Sequence, residues 1–396
     1  LLAIYSSYIF LAIALSILQI NFIKKRKNQK EFLLSKSEFI KAGEYQEKKE
    51  KLAIIERVLD FIMFIFWISF GFSFLDSLIQ SDNSILKSVI FLNSFFILGS
   101  IISMPLDIYQ KFKLDKEFGF STIDTKTYIV DTIKSFVMLI LVSSLLVALI
   151  SYVIENFALW WLYGFLIIFA FMILINAIYP TIIAPMFNKF KPLENEELKN
   201  SISSLLKSIG FESSGIFVVD ASKRDNRLNA YFGGLGKNKR VVLFDTLIEK
   251  LTQNELLAVL GHELGHFKHR DIFKNIAIMG VILFGVFFMF GKMQNTLLAS
   301  VNLESNTHFL IALFLLTFSS ITFFLLPLIN IISRNNEYSA DEFGSELKSR
   351  EDLANALVKL ATENKSFPFS HNSYIFFYYS HPPLSERLKR LGYKFN

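Results

Sequence analysis

The sequence predicts a mainly α-helical, polytopic membrane protein of about seven transmembrane helices with a small cytoplasmic α+β insertion. Three observations predict it. Hydrophobic residues make up 52% of the 396 residues and charged ones 19%, a balance more apolar than soluble domains carry. Seven apolar runs approach the roughly 20 residues that cross a bilayer. One long polar segment, 183–271, separates the fifth run from the sixth.

The runs lie near 1–23, 58–80, 85–107, 134–154, 158–182, 272–294 and 309–332. The first lacks a small-residue cleavage site and reads as a retained span. Asp60, Asp76, Asn93 and Asn176 fall inside these runs and are costly against lipid. They are expected to face an interior or water-filled space, and for Asp60 and Asp76 snorkelling from a span's end fits about as well. Lys24, Lys25, Arg26, Lys27 and Lys30 open a basic loop, and 109–134 and 183–271 are also basic. The alternate loops 81–84, 155–157 and 293–308 hold no Lys or Arg. The positive-inside rule then puts the N-terminus outside and the C-terminus inside. It also absorbs the net charge of +6 without invoking nucleic acid. The division expected is 1–182, five spans with basic loops; 183–271, a cytoplasmic insertion; 272–332, two further spans; and 333–396, a C-terminal segment.

Within the insertion, Glu194 to Ile209 reads as an amphipathic helix stopped by Gly210. Gly215–Val219 and Val241–Phe244 read as short strands, with 227–232 between them. Gly233-Gly234-Leu235-Gly236 lacks the G-x-G-x-x-G order and reads as a hairpin turn, not a phosphate site.

The chemistry is concentrated in His262-Glu263-Leu264-Gly265-His266. Thr252 and Glu255 match a capping box, and Leu256, Leu257, Leu260 and Leu264 recur at helical spacing. On that helix both imidazoles leave one face a turn apart, which suits two corners of a Zn²⁺ tetrahedron. Glu263 is rotated by about 100° from His262, within reach of a metal-bound water and awkward as a ligand. The motif therefore proposes zinc-assisted hydrolysis of a peptide bond with Glu263 as base. The chain has no cysteine, so thiolate ligands and a cysteine nucleophile are excluded. A third ligand must be His, Asp or Glu. Glu337 and Asp341 are four apart on an expected helix, so one could ligate while the other accepts an imidazole N–H. Spacing alone fits two acids solvating a helix end somewhat better. His269 is the rival, although three ligands on one straight helix surround an ion poorly. Further on, Ser380-His381-Pro382-Pro383 holds an imidazole at the lip of a final helix. It could donate to a developing oxyanion or stand free in solvent.

Taken in order, these blocks resemble the Ste24-type CAAX prenyl proteases, integral-membrane zinc metalloproteases of the M48 peptidase family. The likeness runs through Lys113 to Asp131, Phe187 to Glu194, Ser222 to Gly234, Lys239 to Leu247, the H-E-x-x-H, the Glu337 and Asp341 pair and the His381-Pro382-Pro383 stretch. It implies His262, His266 and Glu337 as ligands of one Zn²⁺ per chain, Glu263 as general base and Asp341 as partner to a ligand imidazole. It further implies His381 and Arg387 as active-site residues. Seven helices would enclose a chamber, with the substrate strand added beside Asn229, Ala230 and Tyr231. The implied partners are the lipid bilayer and a peptide or protein substrate, lipidated at its C-terminus in the eukaryotic members. The alternatives are a broad quality-control endopeptidase of the HtpX type and a non-catalytic membrane scaffold. The Phe-, Ile- and Lys-rich composition points to a prokaryotic inner membrane, and a eukaryotic source would imply the endoplasmic reticulum.

Overall fold

The computed structural model describes residues 1–234 and 239–394. The first five apolar runs form helices α1 (Leu2–Arg26), α2 (Lys36–Leu78), α3 (Ser84–Glu117), α4 (Thr125–Asn156) and α5 (Trp160–Phe187). α2 starts far upstream of its apolar run because Ser35 and Glu38 close a capping box there. π-helical turns interrupt α2, α3 and α5 at Trp67–Gly71, Gln110–Leu114 and Tyr179–Ile183. Large apolar side chains such as Phe10, 77% exposed, face outward along these helices, as a lipid-facing surface requires.

The polar residues inside the spans divide. Asn93 bridges α3 to α4, donating to Ser144 Oγ at 3.0 Å and accepting from Ser143 Oγ at 2.7 Å. Asp76 pairs with Lys87 at 2.7 Å. Asn176 is exposed and donates to its own helix backbone at Met172, and Asp60 is exposed. Only the first two serve the interior.

Residues 183–271 supply a sheet and the metal-motif helix. β1 (Phe190–Pro192) is followed by α6 (Glu196–Ser208), capped by Asn195 and ended before Gly210, whose φ is 68°. Then come β2 (Ile216–Val219), β3 (Ala230–Gly233) and β4 (Arg240–Phe244). Among the described residues the order is β1-β2-β4-β3, with β2 and β4 parallel and the outer pairs antiparallel. β3 is therefore an edge strand. The glycine-rich turn expected between β3 and β4 includes Leu235 and Gly236, which lie outside the described residues. β1 escapes sequence reading because it is three residues long and ends in Pro192, a residue that strand patterns exclude.

After α7 (Asp245–Lys250), α8 (Gln253–Lys268) begins at the expected capping box. The Thr252 amide donates to Glu255 Oε2 at 2.8 Å, and the Glu255 amide donates to Thr252 Oγ1 at 3.4 Å. Leu260 and Leu264 are wholly buried with Leu243 and Leu247 between sheet and helix. The sixth span is α9 (Asp271–Ala299). The seventh differs from expectation: α10 (Thr307–Phe323) and α11 (Leu326–Leu347) are bent by 59° to one another, so six continuous helices are long and apolar enough to span, and seven if the bent pair counts as one. The cause is Pro327 in the first turn of α11, which has no N–H to extend the helix of α10. α12 (Arg350–Glu363), α13 (Asn372–Tyr378) and α14 (Leu384–Arg390) complete the chain.

α8 and α11 touch backbone to backbone. A Cβ on Gly265 would lie 2.8 Å from Ala340 Cα, and one on Gly344 would lie 2.7 Å from the His262 amide nitrogen. Gly344→Ala is expected to destabilise the protein by about 1–3 kcal/mol, since neither backbone can give way. Gly99→Ala, where a Cβ meets nothing within 4 Å, is the matched control. Thermal unfolding in detergent compares them, and equal midpoints would remove the close-packing argument.

A candidate zinc centre between two helices

The contact at Gly265 and Gly344 brings the α8 imidazoles against the α11 carboxylates. The His262 and His266 rings are 4.9 Å apart and nearly perpendicular. His262 Nε2 is 3.5 Å from Glu337 Oε2, and His266 Nε2 is 3.2 Å from Glu337 Oε1. Tetrahedral ligands on zinc bonds of about 2.0–2.1 Å stand about 3.4 Å apart, so these separations suit an ion among them. Each of the three residues offers a ligand atom within 4.8 Å of the other two. Glu337 is 4% exposed, and its Oε2 is buried without a hydrogen-bond partner. A buried anionic oxygen without a donor is costly unless a cation meets it. On these observations the donor set fits zinc.

The far side of each imidazole is held by a carboxylate. His262 Nδ1 lies 2.8 Å from Asp341 Oδ1, and His266 Nδ1 lies 2.9 Å from Asp271 Oδ2. Both contacts place the Nδ1 proton on the carboxylate side and leave Nε2 free to ligate. Asp341 is itself gripped by Arg387, which donates from Nε at 2.8 Å and from Nη2 at 2.6 Å. Burial alone lowers the basicity of His266, but the bonds to Glu337 and Asp271 outweigh it and hold its pKa up at about 9.

Asp271 is the residue that sequence reading missed. It opens α9, just past Arg270 in the left-handed region at φ 57°, and that reversal swings it back beneath His266. A carboxylate at the head of the next helix was the available signal, but its direction depends on the turn. Asp271→Asn is expected to weaken zinc affinity by about 10–100-fold. Metal-competition titration measures this, and unchanged affinity would refute the assignment.

Beside the candidate ligands is a cleft of about 210 Å³ whose walls include Glu263, His381, Arg387, Asn229 and Ala230. Glu263 is half-buried there. Desolvation pushes its carboxyl above the usual range, with the neighbouring imidazoles pulling the other way. His381 Nε2 is 3.2 Å from Glu337 Oε1, with 64% of the side chain exposed at the lip. Tyr231 does not line this cleft; it pairs with Val242 along β4. His269 ends α8 with its ring 6.0 Å from that of Phe343, and it is not one of the converging ligands.

Residues 192–394 match the sequence pattern of peptidase family M48, and residues 19–189 match the CAAX prenyl protease N-terminal region of five membrane helices. The chain belongs to peptidase family M48. It is 35% identical to CAAX prenyl protease 1 of Saccharomyces cerevisiae over 333 residues, covering 78% of this chain and 73% of that protein. The Homo sapiens homologue is 33% identical over 78% of this chain and 74% of its own length. The Dictyostelium discoideum homologue is 33% identical over 94% and 89%. The crystal structure of S. mikatae Ste24p superposes with a TM-score of 0.88 at 28% identity, covering 98% of this chain and 97% of that one. This M48 peptidase is thus a Ste24-type homologue of CAAX prenyl protease 1, a zinc metalloprotease in a multi-pass membrane protein.

Proposed function

We propose that this M48 peptidase removes the C-terminal residues of isoprenylated CaaX proteins at the cytoplasmic face of its membrane. The observation that carries the reading is the likeness to CAAX prenyl proteases along both the membrane half and the peptidase half. The basic loops support the cytoplasmic assignment. The four-part division of the chain at 182, 271 and 332 is part of the same proposal.

His262, His266 and Glu337 would hold one zinc ion per chain. When bound, the metal supplies Lewis-acid polarisation of the scissile carbonyl and an acidified water. Glu263, at the cleft wall beside His262, would be the base that accepts a proton from the attacking water and returns it to the leaving amine. Its raised proton affinity suits both transfers. His381 donates to the oxygen on which charge develops. Arg387 fixes Asp341, and Asp341 fixes the His262 ring. The substrate backbone pairs with the free edge at Asn229, Ala230 and Tyr231.

The test compares an isoprenylated CaaX peptide, its unprenylated counterpart and an unfolded membrane protein, each given to the purified protein in vesicles. The prenylated peptide should be cut with at least about tenfold higher kcat/KM, since burying a lipid chain in a site contributes several kcal/mol. Preference for the unfolded protein would favour a quality-control role. Chelation should abolish all cleavage and added zinc restore it; chelator-resistant turnover would remove the metal from the proposal.

A further inference from the structure

α11 carries more than the third ligand. Asn330, Arg334, Glu337 and Asp341 fall four, three and four residues apart, which places them on one stripe of the helix. Glu337 and Asp341 serve the metal centre. Asn330 and Arg334 point to another segment, the last turn of α13 and the residue after it. Asn330 Nδ2 donates to the Phe377 carbonyl at 2.6 Å. Arg334 Nη1 donates to the carbonyls of Ile375 at 3.2 Å and Tyr379 at 2.6 Å. The carbonyls of Phe377 and Tyr379 at the helix end take their donors from α11, and the Ile375 carbonyl, which already accepts from the Tyr379 amide at 3.1 Å, takes a second donor there.

Tyr379 is two residues before His381. The His381 imidazole is largely exposed and is held by Ser380 Oγ at 2.9 Å and Glu337 at 3.2 Å. Its ring is open to solvent, so its position depends on the backbone on either side, with Pro382 and Pro383 buried downstream and Tyr379 anchored upstream. The opposite side of α13 is also fixed: Tyr374 donates to Glu50 at 2.6 Å, and Gln19 accepts from the His371 amide at 2.9 Å. Nearer to His381, the Tyr379 hydroxyl meets Ser370 Oγ at 2.5 Å, which holds the ring, while Arg334 holds the Tyr379 backbone carbonyl. One helix thus sets both the carboxylate of the metal centre and the distance of His381 from it.

We infer that Arg334, seconded by Asn330, is a positioning residue that holds His381 over the reacting carbonyl. The inference rests on the donor role proposed above for His381. The experiment measures kcat, KM and bound zinc for R334A, H381A and the double variant, with an isoprenylated CaaX peptide or, if that is not cut, an unfolded membrane protein. R334A should keep zinc at the parent level, change KM little and lower kcat by about 10–100-fold, the cost of misplacing a catalytic group by an ångström. In the H381A background it should cost nothing further, because residues acting through one another are not additive. Equal losses in both backgrounds, or no loss in the parent, would overturn the inference. If R334A loses zinc or fails to fold, R334K keeps the charge and most of the volume, and the same comparison in both backgrounds decides. Should H381A alone leave kcat unchanged, the role of His381 falls and the inference with it. A loss with H381A but none with the Arg334 variants refutes the inference alone.

Discussion

Glu263→Gln should bind zinc at the parent level and lose about 10²–10⁴-fold in kcat, the range that a general acid–base group contributes. Glu263 lines the cleft beside His262 but is not among the converging ligand atoms, so an amide of the same shape leaves the metal centre standing. The amide cannot accept a proton, so both transfers assigned to Glu263 are lost. Desolvation already raises the proton affinity of the native carboxyl, which makes it a stronger base than an exposed glutamate. Zinc quantification alongside initial rates makes the check. A zinc-loaded Glu263→Gln protein turning over at the parent rate would remove the general-base assignment.

Glu337→Ala should fail in the opposite order, losing metal first and turnover as a consequence. The Glu337 carboxylate faces His262, His266, His381 and Arg387 at once, and its removal leaves only the two imidazoles and no anionic ligand. Substitution of groups that merely orient a ligand weakens metal binding by about 10–100-fold, so loss of a ligand itself should exceed about 100-fold. Metal content after dialysis against a chelator series reads this directly. Zinc retained at the parent level would place the third ligand elsewhere.

Much of this arrangement is legible in the chain. The apolar runs mark the spans because a bilayer admits few alternatives to a long helix. Thr252 and Glu255 announce the start of α8, and the four-residue spacing of His262 and His266 survives folding because it is internal to one helix. What crosses between elements is less legible. The bend between α10 and α11 is hidden in an apolar run that continues through Leu325 and Leu326, with Pro327 its one sign. The nearness of Glu337 to the imidazoles depends on glycines that permit backbone contact, and these have no pattern of their own. Resemblance to the family supplied that pairing, along with Arg387, where spacing left the choice open. Asp271 was missed because a chain reversal, not a periodicity, delivers it.

Backbone contact at Gly265 and Gly344 has a mechanical corollary. With no side chain between them to rotate away, α8 and α11 cannot part or slide without dismantling the ligand set. Any breathing that admits a polypeptide must therefore be taken up away from this contact, on the side of the cleft bordered by Asn229 and Ala230. A metal held there would be the still point of the enzyme, with substrate accommodated around it.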